Sequence, residues 1–510
     1  MIRLALLLLA LTTAARATPS EPLTPEARQA LGIATPAGAR LWESGRADLL
    51  AYRLDAARAS FGALGRAEPA SAAGAFGLES VALWQALAEE RDPLPERFYA
   101  LSDSLSGVAA RLPDTAEGRL MRAMAVLHRA LMLGREERYT RAGLAFRDAC
   151  GQFRALPADG STLPDALFGQ GVCEAAAGSI PSKYRWLGRL FGFSGSVASG
   201  IDKLGRAAAG PGMAAVESAA AFAIVDVTLN ERRAGGLDRL GATTAAHPES
   251  PVLAYLRAFY LLTDRRAVEA EADLRRAAAA LARPGAGAFP YVDADLGMAL
   301  FREDRFAEAL PLLGRYARTF RGKGLLAQAT LHAGLAAELT GDRRTAETFY
   351  ARVRAARDYD SDLSAAREAT LRRATPLTPV DRTLLLGRNA YDSNRLDLAI
   401  RTLQPVLTDV ALSDTDRAEA AFRTGRAYQA LGDDAEALRH FAFATARPGD
   451  PLARWGPWGL YHVGEIQERA GRRDAARAAY RAALAVPGDY DYHTSLEQRV
   501  RTALARVGGA

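Results

Sequence analysis

Lysine is almost missing from this chain. Lys183, Lys203 and Lys323 are the only three, and the other 62 of its 65 basic residues are Arg. Cysteine is nearly as scarce, with Cys150 and Cys173 alone. Two Cys and six scattered His, none in a His-Glu-x-x-His spacing, exclude a zinc site of the usual kinds. No Gly-x-Ser-x-Gly elbow is present. Gly188 and Gly192 lack the Lys and hydroxyl that a phosphate loop requires. No metal and no cofactor is therefore expected. Long apolar runs are also lacking. A membrane span needs about 20 apolar residues. The richest candidate, Ala215 to Val227, is broken by Glu217 and Asp226 and reads as a buried helix. The net charge of +6 is spread over a mixed-charge sequence, which excludes a nucleic-acid footprint.

What is present begins with a leader. Met1-Ile2-Arg3 precedes an apolar core, Leu4 to Leu11, and Ala15-Arg16-Ala17 offers a small-x-small cleavage site. This predicts a secretory signal over 1–17, cut before Thr18, and a periplasmic or secreted protein. No Cys follows the apolar core, so a lipoprotein anchor is not expected. In an exported chain the two Cys invite a disulfide. Cys150 and Cys173 fall on consecutive helical segments around a turn with Pro157 and Pro164. A bridge would close about 24 residues and add about 3 kcal/mol. Two buried free thiols are the alternative.

The strongest pattern is a spacing. Gly425 is followed by Gly432, Ala437 and Phe441 at +7, +12 and +16. Gly464 is followed by Gly471, Ala476 and Tyr480 at the same steps. Gly387 leads Ala399 and Leu403, Gly334 leads Gly341, Ala346 and Tyr350, and Gly297 leads Ala309 and Leu313. Two antiparallel helices approach closely only at small residues, with a bulky one filling the space beside them. A residue at positive φ between the helices ends the first cheaply. Asp433 after Gly432 can cap the second. One wider step between leading glycines, from Gly334 to Gly387, requires an added turn or helix, which Ala365 to Pro379 could supply.

Five such frames, over about 285 to 490, resemble the tetratricopeptide repeat, whose period is about 34 residues. The resemblance implies an all-α, right-handed α-solenoid of antiparallel helix pairs. Residues 285–508 would hold clear repeats and a capping helix, begun by Thr494 and Glu497. Residues 18–280 would hold degenerate ones, as at Leu54, Ala57 and Phe61. An insert at 179–195 interrupts the frame of Gly171 and Gly178, which resumes at Gly195, Gly200, Leu204 and Ala207.

Repeats of this type bind partners mainly on the face of each first helix turned away from its own pair. Residues at +1, +4 and +5 from the leading glycine, and at −3 and −6, can reach that face. The groove candidates are Tyr291, Phe301 and Arg302; Arg388, Tyr391 and Asp392; Phe422, Arg426 and Gln429; and Trp458 and Tyr461. Glu465 and Glu468 add acids, and Gln328, Leu331 and Glu338 form a blander stretch. The Lys and Asn types of a chaperone-tail clamp are missing. The insert offers Tyr184, Arg185, Trp186, Phe191 and Phe193, which suit a membrane surface or packing against the repeats. The expected function is a non-enzymatic exported scaffold that binds a protein or peptide in its groove. The alternatives are a membrane-surface adaptor using the insert, and a helical-repeat enzyme acting on polysaccharide. The sequence does not set the oligomeric state.

Overall fold

The computed structural model describes residues 23–157, 163–179, 194–229, 233–355, 359–446 and 454–508. The predicted leader and the insert candidates Tyr184, Arg185, Trp186, Phe191 and Phe193 lie outside these residues. Among the described residues there are 25 α-helices and no strand. None of the helices is long and apolar enough to cross a membrane. The chain divides into two compact units, the first comprising residues 1–264 and 272–292, the second residues 265–271 and 293–510.

The second unit is built on the glycine frames. A Cβ added at Gly425 would sit 2.8 Å from the Phe441 ring, the residue at +16. At Gly297 it would meet Leu313 at 2.6 Å, and at Gly334 the Tyr350 ring at 2.5 Å. Gly387 is pressed by Leu403 and Gly464 by Tyr480 in the same way. Each leading glycine is thus the floor against which the second helix of its pair lays a bulky side chain. The residue at +7 turns the chain: Gly432 has φ 84°, and the non-glycine equivalents Asn394 and Asp304 have φ 60° and 63°. Asp433 caps the helix Asp434–Thr445 by accepting from the Glu436 amide. The wide step holds an added helix, Asp360–Ala374.

The first unit repeats this device less regularly. Gly45 is pressed by Phe61 at 2.7 Å, again sixteen positions on, with Tyr52 at +7 in the left-handed region. Gly171 meets Leu204 at 2.8 Å, so the frame resumes after the insert as the spacing predicts. The helix Ala116–Arg135 and its successor Tyr139–Arg154 follow the same frame with alanine leading: Ala130, Glu137 (φ 66°), Ala142 and Phe146. Cys150 and Cys173, on the helices Tyr139–Arg154 and Pro164–Gly178, are joined by a disulfide. Ala215 to Val227 lies in a buried helix, as its interrupted apolar pattern predicts.

Candidate functional site

The first helices of the second unit share a geometry with a chemical consequence. Each turns its leading glycine toward its own second helix. At about 100° per residue, positions +1, +4 and +5 and positions −2 and −3 then project elsewhere. Those projections meet in a cavity of about 360 Å³. Phe301, Arg302, Arg388, Tyr391, Phe422, Arg426 and Trp458, all expected in the groove, line it, and so do Asp392 and Gln328.

Three other groove candidates stand elsewhere. Tyr291 belongs to the first unit, where its hydroxyl bonds Glu90 and lies 3.3 Å from Arg135. Its ring is buried beside Tyr255 and Phe289, so the −6 offset, which holds for Gln328 and Trp458, fails at the helix that opens the array. Tyr461 is buried behind the wall, edge-on to Trp458 and His462. Gln429 is spent on Glu465, donating over 3.4 Å. Glu465 and Glu468 also have partners of their own. Glu465 accepts from His462 at 2.6 Å, and Glu468 pairs with Arg506 at 3.0 Å.

The lining also includes residues the offsets omit. His332 and Arg423 both stand at −2, a position that recurs and so was readable in principle. Asn389, at +2, is buried and donates to the Phe301 carbonyl at 2.8 Å and to Asp304 at 2.9 Å, tying two walls together. Arg454, Trp455 and Tyr492 complete the lining. Tyr492 precedes the helix His493–Arg506, and its place depends on a long-range contact that no local pattern announces. There Arg367 reaches Asp491 at 3.0 Å and Asp489 at 3.1 Å, and Ser364 donates to Asp491 at 2.8 Å. The expected Thr494–Glu497 cap is not formed. The helix starts earlier, and the free Ser495 amide donates to Asp360, on the added helix, at 2.6 Å.

Charge in this cavity is predominantly positive. Arg302, Arg388, Arg423, Arg426 and Arg454 line it against the single acid Asp392. Guanidinium groups cover the rings: Arg423 and Arg454 lie 5.0 and 4.8 Å from the Trp455 centroid, Arg426 5.3 Å from Tyr391, and Arg454 4.5 Å from Tyr492. Such stacking fixes a guanidinium and leaves its N–H edge free to donate. Burial, and then Arg423, push the Arg388 guanidinium below its ordinary range. Burial and neighbouring Arg388 bring His332 down to about 3. Burial and Arg426 bring His462 down to about 4. His462 is therefore the neutral tautomer that donates from Nδ1 to Glu465 and accepts at Nε2 from Arg426, 3.0 Å away. Among the described residues, no group of His, Cys, Asp and Glu is arranged to hold a metal ion.

No family model matches the chain, and no curated protein matches it. Among solved structures it is similar to the TPR domain of P58(IPK), at 12% identity over 92% of this chain and 97% of that one, with a TM-score of 0.22. It is similar to the TPR2AB domain–pHSP90 complex of yeast Sti1, at 14% identity over 51% of this chain and 98% of that one, with a TM-score of 0.21. It is also similar to the human IFIT1 dimer with PPP-AAAA, at 14% identity over 84% and 89%, with a TM-score of 0.30. Scores this low carry no argument, so the assignment stands on the seams themselves. With a leading glycine pressed by the residue at +16 and a left-handed turn at +7, the fold of this chain is an all-α helical repeat of the tetratricopeptide type.

Proposed function

We propose that the chain is a non-enzymatic scaffold, periplasmic or secreted, that holds a protein or peptide partner along the cavity of its second unit and serves assembly or maintenance of the cell envelope. The observation that carries this reading is the composition of that cavity. Arginine and aromatic side chains dominate the energetics of protein interfaces, and here they converge from several first helices. A partner lying there touches several repeats at once. The leader pattern at 1–17 and the Cys150–Cys173 bond support export, because such bonds persist in oxidising compartments. Glu465 and Glu468, the acids a hydrolytic reading would enlist, are occupied by His462 and Arg506.

The test is site-specific photocrosslinking in intact cells from position 392, with position 410, where Val410 is 81% exposed, as the control. A protein adduct from 392 that is absent from 410, on a mature chain starting at Thr18 in the envelope or the medium, is expected. Equal labelling from both positions, or an uncleaved cytoplasmic chain, would overturn the reading.

A further inference from the structure

The cavity lining carries five Arg against one acid, and among the described residues Asp392, Glu368 and Glu465 act on Arg388 and Arg426 without forming an ion pair. Arg423 is paired with Glu419. Arg426 donates only to neutral groups, the Tyr391 hydroxyl at 2.8 Å and His462. Arg388 and Arg454 have no carboxylate partner within 4.0 Å among the described residues, although Asp392 stands in the same lining. A cation outside any ion pair, against low-dielectric ring walls, attracts oxyanions strongly.

The rings narrow the choice of ligand. Faces of Trp455, Tyr391 and Tyr492 are taken by guanidinium groups. Those faces are not open to a planar ring of a ligand, whereas the N–H groups that Glu419, His462 and Tyr391 do not engage are left for acceptor oxygens. The placement narrows it further. Arg388, Arg426 and Arg454 belong to three successive first helices or their starts, Pro379–Asp392, Asp414–Leu431 and Trp455–Arg469. Packed helices stand about 8–10 Å apart. A peptide in the extended polyproline II form advances about 3.1 Å per residue with about three residues per turn, so every third side chain recurs on one face at about 9 Å. A compact anion would engage one or two of these cations, while a spaced series of carboxylates engages all three.

We infer that the cavity recognises an internal acidic segment of its partner, an extended stretch with Asp or Glu at every third residue, and not a chain-terminal carboxylate. This rests on the reading of the second unit as a protein-binding scaffold.

The experiment is calorimetric titration of the purified mature chain with an N-acetylated, C-amidated peptide carrying acids at every third position. The comparisons are its Asn/Gln copy, a copy with the same acids clustered, and pyrophosphate. The acidic peptide is expected to bind at least tenfold more tightly than the amide copy, and to weaken as salt rises. Arg388→Gln and Arg454→Gln should each weaken it fivefold or more. Arg388→Lys should retain part of the affinity, and exposed Arg382→Gln should leave it unchanged. Thermal melts of each variant separate lost binding from lost fold.

Equal binding of the amide copy, tighter binding of pyrophosphate than of the peptide, or no binding of any acidic peptide would each overturn the inference. If position 392 still crosslinks a protein through a segment without Asp or Glu, the scaffold reading survives and the charge inference alone fails. If no protein is captured there, the scaffold reading itself fails.

Discussion

Arg367 and Asp491 lie 124 positions apart and meet at 3.0 Å. With Asp489, Ser364 and the Asp360–Ser495 contact, they bind the added helix Asp360–Ala374 to the start of the helix His493–Arg506. This contact sets Tyr492 into the cavity lining. Arg367→Ala should loosen residues 489–495 while leaving the helix pairs intact. The measurement is amide hydrogen exchange, with faster exchange confined to that segment. The charge-reversed double variant Arg367→Asp/Asp491→Arg should recover part of the protection. Unchanged exchange in Arg367→Ala would show that the pair holds nothing. Asp360→Ala removes a helix cap and should cost about 1 kcal/mol.

The glycine seam makes a sharp contrast within one substitution type. Gly425→Ala pushes a methyl into the Phe441 ring and should destabilise the second unit by about 1–3 kcal/mol. Gly107→Ala, on an exposed helical position with nothing within 4 Å, should stabilise the first unit by about 0.5–1 kcal/mol. Thermal melting reads both, and the same sign at the two sites would contradict the seam.

Above about pH 8, where Glu217 is ionised, Arg46 and Glu217 form a buried ion pair at 3.1 Å in the first unit, 171 positions apart. Arg46 Nε and Nη1 and Glu217 Oε2 make no hydrogen bond there. Glu217→Leu alone strands a buried cation and should cost about 3–5 kcal/mol. Arg46→Met with Glu217→Leu should recover most of that loss. Denaturant unfolding of both variants checks the order, and a double variant no better than the single one would refute it.

The two units should respond to pH with opposite signs. In the second, His462 titrates at about 4 in the fold against about 6.5 when unfolded. Between those values the unfolded chain binds more protons, so stability falls as pH drops through the window. Glu465 adds to this at lower pH. Burial, the largest influence, favours its neutral form, but His462, the Tyr461 hydroxyl and Arg426 together outweigh it and bring the carboxyl to about 2. In the first unit, burial raises Asp165 to about 6 despite two backbone donors, and Glu217 to about 8 despite Arg46. There the folded state binds more protons, so stability falls as pH rises from about 4 to about 8. Hydrogen exchange of each unit at pH 4.5 and 8, corrected for intrinsic rates, would show it. A common sign would exclude one of the two accounts.

Reduction of Cys150–Cys173 should cost about 3 kcal/mol, in the first unit. Cys150→Ser/Cys173→Ser should melt lower by the same amount as the reduced chain. A double variant as stable as the oxidised protein would show that the bond adds nothing.

The sequence made most of the second unit legible because its packing is local. A Gly and the residue at +16 are both on the page, and so are the offsets that brought Arg388, Tyr391, Phe422 and Arg426 into one cavity. In the first unit alanine can lead the frame, as at Ala130, and alanine is too common here to stand out. Tyr492 and Asp360 were illegible for another reason. They act across more than a hundred residues, where no spacing rule reaches.

Every seam in the second unit joins residues sixteen positions apart, so each helix pair can form as its own piece of chain becomes available. The cavity differs in kind. One of its walls waits on residues 489–492, long after the added helix has been made. A folding intermediate can therefore hold every repeat in register and still be unable to bind, so that binding competence reports completion of the unit, whereas helix content does not.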